Sequence, residues 1–150
     1  MPETNTLTEF RAKFRVEPLS VLDSGAWTWS VRPDQTTLGA GVISLNRHAP
    51  HLSDVNADEM AELSGLISQL ESAMKRTFDH NIMNYLMYMM MDHHVHWHAI
   101  PRYDGARRFA ERDWVDNGWP ALPVLDDSQH KDQPDVLSSI RQALAASTRT

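Results

Sequence analysis

The chain has 150 residues, a length typical of one domain built around a single hydrophobic core. Hydrophobic residues make up 41% and charged residues 23%, a globular composition without repeats or low-complexity tracts. A net charge of −6 argues against a nucleic-acid surface, where basic residues cluster on one face. Because the chain has no cysteine, disulfides, thiolate metal sites and cysteine nucleophiles are excluded.

The N-terminal stretch MPETNTLTEF is polar and lacks the apolar core of a secretory signal. No later stretch has the roughly 18 uninterrupted apolar residues of a membrane span. We therefore expect a cytoplasmic protein without a membrane partner or a nucleic-acid partner. We treat residues 1–150 as one domain, with an N-terminal arm (about 1–24) and a C-terminal extension (about 104–150).

In chain order, the first element is a short helix or arm in TLTEFRAKFRVEPLSVL, where Pro18 would end any helix. Next, Gly25–Pro33 alternates large apolar residues with small polar ones, and Leu38–Leu45 follows after a turn-rich stretch. These two segments predict an antiparallel hairpin.

A long helix is predicted from about Ala57 to Phe78. Asn56 can cap it, and Glu59 completes the capping box three residues later. The helix should lie across a sheet, because an apolar stripe runs along it at helical spacing: Met60, Leu63, Leu66, Ile67, Leu70 and Met74.

Two further strands are predicted in NIMNYLMYMMM and HHVHWHAI, close enough to pair through the DHH region, and a short helix follows from about Pro134 to Ala146. The predicted fold class is therefore α+β. It comprises an antiparallel sheet of about five strands, one long helix packed on the sheet, and a short C-terminal helix.

The second of these strands carries histidines at alternate positions, His94, His96 and His98. Side chains at i, i+2 and i+4 of a strand share one face, spaced by about 6.5 to 7 Å. Val95, Trp97 and Ala99 would then pack into the core on the other face, while the imidazoles open into one pocket. Such a row suits two chemistries, since it could bind a divalent metal or supply a histidine nucleophile toward phosphorus.

The segment HVHWHAI, with the form His-x-His-x-His-x-x, resembles the histidine triad family of nucleotide hydrolases and transferases. The following PRY is similar to the branch that includes dinucleoside polyphosphate hydrolases. Upstream, VISLNRHAPHLSDVNADEMAEL looks like the family's strand, upstream histidine and long helix, with His48 as the fourth histidine and His51 as its competitor. The resemblance covers about residues 25–103.

The resemblance implies nucleotidyl transfer in two steps. His96 would attack the α-phosphate to form a nucleotidyl-histidine, and water would then release the nucleoside monophosphate. His98 would donate to phosphate or leaving-group oxygens, while His94 and His48 would set the orientation and protonation of His96. Transferases of the family commonly carry Gln at the third position, so His98 favours a hydrolase.

The favoured substrate is an adenine-containing nucleotide. Asn84, on the strand before the triad, and Arg102, after it, are the candidate binding residues, with Arg102 as a contact to phosphate. No metal or cofactor is expected to be held by the protein, although Mg²⁺ could accompany a polyphosphate substrate. Many family members pair as dimers, which makes a homodimer compatible with the resemblance. Met90 and Met91 stand where Ser or Gln usually meets the leaving group. A metal-dependent hydrolase and a non-catalytic nucleotide-binding module stay open as alternatives.

Overall fold

A computed structural model describes residues 3–148 of the chain, and the side chains of residues 6–148. The first two residues of the predicted arm and the last two of the predicted extension lie outside the described residues. The architecture is α+β, as predicted, with a five-stranded antiparallel sheet at its centre. Within residues 3–148, no helix combines the length and hydrophobicity needed to cross a membrane.

The elements are α1 (Glu3–Lys13), β1 (Ser20–Asp23), β2 (Trp27–Val31), β3 (Gly41–Leu45), α2 (Ala57–Phe78), β4 (Ile82–Leu86), β5 (His96–Arg102), β6 (Arg107–Phe109), β7 (Arg112–Trp114) and α3 (Asp135–Ser147). The sheet has the strand order β1-β2-β3-β5-β4, and β6 pairs with β7 in a separate hairpin. The predicted hairpin is β2 with β3, and the two strands predicted around the DHH region pair as β4 with β5.

Helix α2 begins and ends at the residues predicted from the sequence. The Asn56 side chain accepts the Glu59 N–H at 2.8 Å, and the Glu59 carboxylate accepts the Asn56 N–H at 3.0 Å. Both bonds satisfy amides that the first turn of a helix leaves without partners. At the other end, Asp79 adopts the left-handed conformation with φ 53°, which stops the helix after Phe78.

The main hydrophobic core lies between one face of the sheet and the helices α2 and α3. Leu63, Leu66, Leu70 and Met74 are buried there, as the helical stripe predicts. The prediction is wrong for Met60, which is 43% exposed. Met60 lies in the first turn of α2, at the rim of a shallow apolar depression that it shares with Trp97.

Helix α1 covers the opposite face of the sheet. Phe10, Phe14 and Val16 pack there against Val42 of β3 in a second, smaller cluster of buried residues. The helix ends at Lys13, five residues before Pro18, and Arg15 follows in the left-handed conformation with φ 51°. The predicted arm is therefore a helix that occupies the face of the sheet on which the histidines lie.

Candidate active site

The three alternating histidines share one face of the sheet, as predicted, although β5 begins at His96 and not at His94. The extended backbone continues upstream because the Val95 N–H donates to the Ala49 carbonyl at 2.8 Å. In register, His96 lies opposite Ser44. Trp97 points to the α2 side, where its ring lies 5.7 Å from that of Trp27.

His94 is held by the backbone at both ring nitrogens. Its Nε2–H donates to the Leu45 carbonyl at 2.7 Å, and its Nδ1 accepts the Ala49 N–H at 3.3 Å. The ring is fully buried, and this burial lowers the pKa of His94 to about 4. His94 is therefore a neutral ring of fixed tautomer, with neither nitrogen free for a ligand.

His96 keeps one ring nitrogen available. Its Nδ1–H donates to the His94 carbonyl at 2.6 Å, which leaves the lone pair on Nε2. Burial lowers the pKa of His96, so the ring is neutral near pH 7. A neutral imidazole with a fixed proton and a free Nε2 lone pair is the form that can act as a nucleophile.

His98 lies beside His96, with the two ring centroids 5.1 Å apart in an edge arrangement. Its Nδ1 accepts a hydrogen bond from the Arg32 Nε–H at 3.2 Å. Burial and the Arg32 cation together lower the pKa of His98 to about 4. All three rings of the triad are thus neutral at physiological pH.

His48 completes the row. Its ring stacks on His94, with centroids 5.7 Å apart and an interplanar angle of 16°. The buried Nδ1 of His48 has no hydrogen-bond partner among residues 3–148. The competing His51 is exposed, and its backbone N–H is bonded to Asp54. The structure therefore brings His48, and not His51, into the row.

Two phenylalanines, Phe10 of α1 and Phe14 directly after it, cover the histidine row. The Phe10 ring lies 5.0 Å from His94 and 4.9 Å from His96, and the Phe14 ring lies 5.7 Å from His96. His96 is consequently only 1% exposed. The expectation that the rings open into a pocket is wrong, because both phenylalanine rings lie on the row.

An ion pair joins α1 to the loop before β5. Lys13 Nζ lies 2.9 Å from the Asp92 carboxylate. Both charges act on the neighbouring His96, whose pKa Asp92 raises and Lys13 lowers. Beside this pair opens a cleft of about 290 Å³, which is lined by both residues together with Phe10, His93 and His94.

Arg102 binds both Asn84 and the C-terminal extension. Arg102 is 3% exposed and donates to the Asp116 carboxylate at 2.7 and 3.1 Å. It also donates to the Asn84 side-chain oxygen and to the Ala121 carbonyl, each at 2.8 Å. These contacts engage every nitrogen of the guanidinium group, so Arg102 holds the extension on the sheet.

Met90 and Met91 lie in the loop between β4 and β5, with 68% and 83% of their surface exposed. Thioethers are weak hydrogen-bond acceptors, so these side chains supply no donor to a leaving group. Asp92 and Lys13, which lie close to His96, supply the charged groups at this end of the row.

The donor atoms of the row do not fit a metal site in this arrangement. His94 uses both nitrogens on backbone groups, and the His98 Nδ1 faces a cation. Across the described part of the chain, no group of at least three His, Asp or Glu side chains is placed to hold a metal ion.

The site also contains Arg32, Lys13, Phe10 and Phe14, none of which was predicted from the sequence. The phenylalanines are four residues apart, a spacing that marks one face of a helix but not the surface it covers. Arg32 directly follows β2 and contacts a ring 66 residues away in the chain. Contacts between such distant residues carry no local signal.

Several solved structures share this fold. A hypothetical histidine triad nucleotide-binding protein from Sulfolobus tokodaii strain 7 matches with a TM-score of 0.67 and 16% identity, over 97% of this chain and 91% of that one. A histidine triad protein from Sinorhizobium meliloti 1021 matches with a TM-score of 0.64 and 15% identity, over 90% and 93% of the two chains. At these identities the likeness establishes the fold.

A uridylyltransferase structure matches as well, with a TM-score of 0.57 and 19% identity. The match covers 98% of this chain but 49% of the uridylyltransferase. No curated protein matches the chain significantly. The family model of the HIT domain matches residues 40–105, a segment that includes His48 and the triad. Over this segment the chain is therefore similar to the HIT domain family.

Proposed function

We propose that this protein is a nucleotide hydrolase that cleaves its substrate at the α-phosphate through a nucleotidyl-His96 intermediate. The observation that carries the proposal is the 2.6 Å hydrogen bond from His96 Nδ1–H to the His94 carbonyl. It places the proton on one side of the ring and the reactive lone pair, on Nε2, on the other. A neutral imidazole needs no further activation to attack phosphorus near pH 7.

The reaction has two displacements. In the first, the His96 Nε2 lone pair forms a bond to the α-phosphorus, and the bond from phosphorus to the leaving group breaks. The leaving group accepts a hydrogen bond from the His98 Nε2–H and takes any proton it needs from solvent. In the second, water attacks phosphorus and loses a proton to solvent, and the phosphorus–nitrogen bond breaks to release the nucleoside monophosphate and neutral His96.

The proposed substrate is an adenine-containing nucleoside phosphate derivative, with dinucleoside polyphosphates as the first candidates. The Phe10 and Phe14 rings supply an aromatic wall beside His96, and aromatic rings stack on nucleobases. Mg²⁺ would arrive with a polyphosphate substrate. Pairing of two copies and a cytoplasmic location are part of the same proposal.

Buried polar atoms on the histidine face support a polar ligand. The hydroxyls of Ser30 and Ser44, together with His48 Nδ1, have no hydrogen-bond partner among the described residues. By strand register both serines lie on the face of His96 and His98. Because an unbonded buried hydroxyl costs free energy, phosphate or sugar oxygens placed here would be stabilised.

Substrate access requires a movement of α1. The α-phosphorus has to approach Nε2 of His96, and the Phe10 ring now lies 4.9 Å from that imidazole. The contacts that hold this region on the sheet include Phe10, Phe14 and the Lys13 ion pair with Asp92. The cleft beside this pair is lined in part by His94 and so lies next to the row.

A substrate panel tests the proposal. Wild-type protein and His96→Ala are incubated with AMP amides and dinucleoside polyphosphates, with and without a chelator, and AMP is quantified. Release of AMP from an amide in the presence of chelator, lost in His96→Ala, supports the nucleophile. Activity that requires added zinc would favour the metal-dependent hydrolase. Tight binding without any release would favour a binding module.

A further inference from the structure

The Arg32 side chain is fixed in space by three acceptors. Its Nε–H donates to His98 Nδ1 at 3.2 Å, and its Nη1 donates to the carbonyls of Asp34 and Leu125, each at 3.0 Å. One of these acceptors is a histidine of the triad, while the Leu125 carbonyl belongs to the C-terminal extension. The guanidinium therefore connects the extension to the catalytic row.

The extension is itself bound to the loop that carries Arg32. The Thr36 hydroxyl donates to the Val124 carbonyl. The Gln129 backbone N–H donates to the Gln35 carbonyl at 3.0 Å, and the Gln129 side chain donates to the Thr36 carbonyl at 2.8 Å. This set of bonds holds the Leu125 carbonyl in place, and so holds Arg32 against His98.

The hydrogen bond from Arg32 decides which nitrogen of His98 carries the proton. A guanidinium group has only donors, so His98 Nδ1 has to accept and cannot bear a hydrogen. The neutral ring then has its single proton on Nε2. This is the tautomer that can donate to an oxygen in front of the row.

We propose that Arg32 is a positioning residue that fixes His98 as an Nε2–H donor toward the leaving group, and that the C-terminal extension holds Arg32 for this task. The catalytic part of this inference rests on the proposed function, whereas the tautomer of His98 does not. It also gives the extension a role in the reaction, since the Leu125 carbonyl is one of the acceptors of Arg32.

The charged and titratable groups that face His98 come from four elements of the structure. Arg32 directly follows β2, and His96 lies two residues before His98 on β5. Asp92 lies in the loop before β5, and Lys13 lies on α1. Arg32 and Lys13 both disfavour a proton on His98, while Asp92 favours one. Loss of the Arg32 cation should therefore raise the pKa of His98.

The tautomer is measured directly by NMR of protein labelled with ¹⁵N in histidine. We expect wild-type His98 to show a proton on Nε2 and none on Nδ1 near neutral pH, with the signal assigned by its loss in His98→Asn. In Arg32→Met the two tautomers should mix and the His98 pKa should rise. Arg108→Met, which removes an exposed cation on β6, is the control and should leave the His98 signals unchanged.

Kinetics give the second test. We expect Arg32→Met to lower kcat about 10- to 100-fold with little change in KM, because a hydrogen-bond donor that loses its fixed tautomer loses much of its stabilisation of the charge developing on the leaving group. Arg32→Lys, which keeps the charge and a donor, should recover part of the loss. In His98→Asn the further change Arg32→Met should add little, since Arg32 acts through His98.

Two results would overturn the inference. A wild-type spectrum with the proton on His98 Nδ1 would do so without any variant, even if Arg32→Met fails to fold. Unchanged His98 signals in a folded Arg32→Met protein would do so as well. If wild-type protein cleaves no nucleotide but His98 has the expected tautomer, the proposed function fails and the assignment of Arg32 to His98 stands.

Discussion

His96 Nδ1 lies 2.6 Å from the carbonyl oxygen of His94, two residues earlier in the chain. One residue of the triad thus orients the next through its backbone, while its own ring is bound by the carbonyl of Leu45. Adjacent histidines of the row therefore differ in how their ring nitrogens are bonded. His94 is a fixed support, and His96 presents a free Nε2.

The burial of neutral histidines predicts an acid-sensitive fold. The pKa values of His94 and His98 are lowered to about 4 in the folded protein from an ordinary value of 6.5. Between these two values the unfolded chain binds more protons, so the free energy of unfolding falls as pH is lowered through this window. We expect a loss on the order of 1 to 2 kcal/mol for each ring between about pH 7 and about pH 5.

Urea denaturation at a series of pH values measures this loss. The variant His98→Asn removes one of these groups and should have a smaller pH dependence than the wild type, while His94 and His96 still contribute. A free energy of unfolding that stays constant over this range would contradict the burial of neutral rings.

Leu66 tests the packing of α2 on the sheet. The side chain is 1% exposed, so Leu66→Ala should lower the free energy of unfolding by about 2 to 5 kcal/mol. Met60→Ala on the same helix is the matched control and should cost about 0.5 kcal/mol or less, because Met60 is 43% exposed. Equal losses in the two variants, measured by urea denaturation, would show that the buried face is assigned wrongly.

Two arginine–aspartate pairs allow a comparison of buried and exposed ion pairs. Arg102 and Asp116 have side chains 4% and 1% exposed, whereas Arg108 and Asp113 are 63% and 77% exposed. We expect Arg102→Met to cost about 3 to 5 kcal/mol, because it leaves a buried carboxylate without its cation. Arg108→Met should cost about 0 to 1 kcal/mol.

Thermal and urea unfolding of both variants measure this difference. A mild effect of Arg102→Met on stability together with a large rise in KM would instead assign Arg102 to the substrate. The comparison thus separates a structural role from the phosphate contact that the sequence analysis considered.

Features with a local signal were predictable from the sequence. The bounds of α2 follow from the capping box of Asn56 and Glu59 and from the apolar repeat. The shared face of His94, His96 and His98 follows from the two-residue period of a strand. Both signals lie within a few residues of the feature that they predict.

The remaining site features depend on contacts between distant parts of the chain. Arg32 contacts His98 across 66 residues and the Leu125 carbonyl across 93 residues. Phe10 covers His96 because of where α1 docks, which helical spacing alone does not determine. Arg102 has the size and charge of a phosphate ligand, but its partner is Asp116 of the extension. The sequence near Arg102 does not reveal this partner, because Asp116 approaches only when the extension folds onto the sheet.

The central claim is that His96 forms a covalent bond to the nucleotide. As a nucleophile, His96 should carry the nucleotidyl group during turnover, because its attack leaves a phosphorus–nitrogen bond that lasts until water enters. Such a bond is labile in acid and stable in base, so the adduct has to be isolated under alkaline conditions. His96→Ala should abolish the adduct while keeping nucleotide binding, since the other groups of the row are still present.

The most direct measurement is a rapid quench of wild-type protein with a nucleotide substrate labelled at the α-phosphate, followed by alkaline peptide mapping. We predict label on the peptide that contains His96, formed and lost at rates consistent with turnover, and none in His96→Ala. Cleavage within a single turnover without protein-bound label at any time, combined with activity that depends on zinc, would contradict the nucleophilic role of His96.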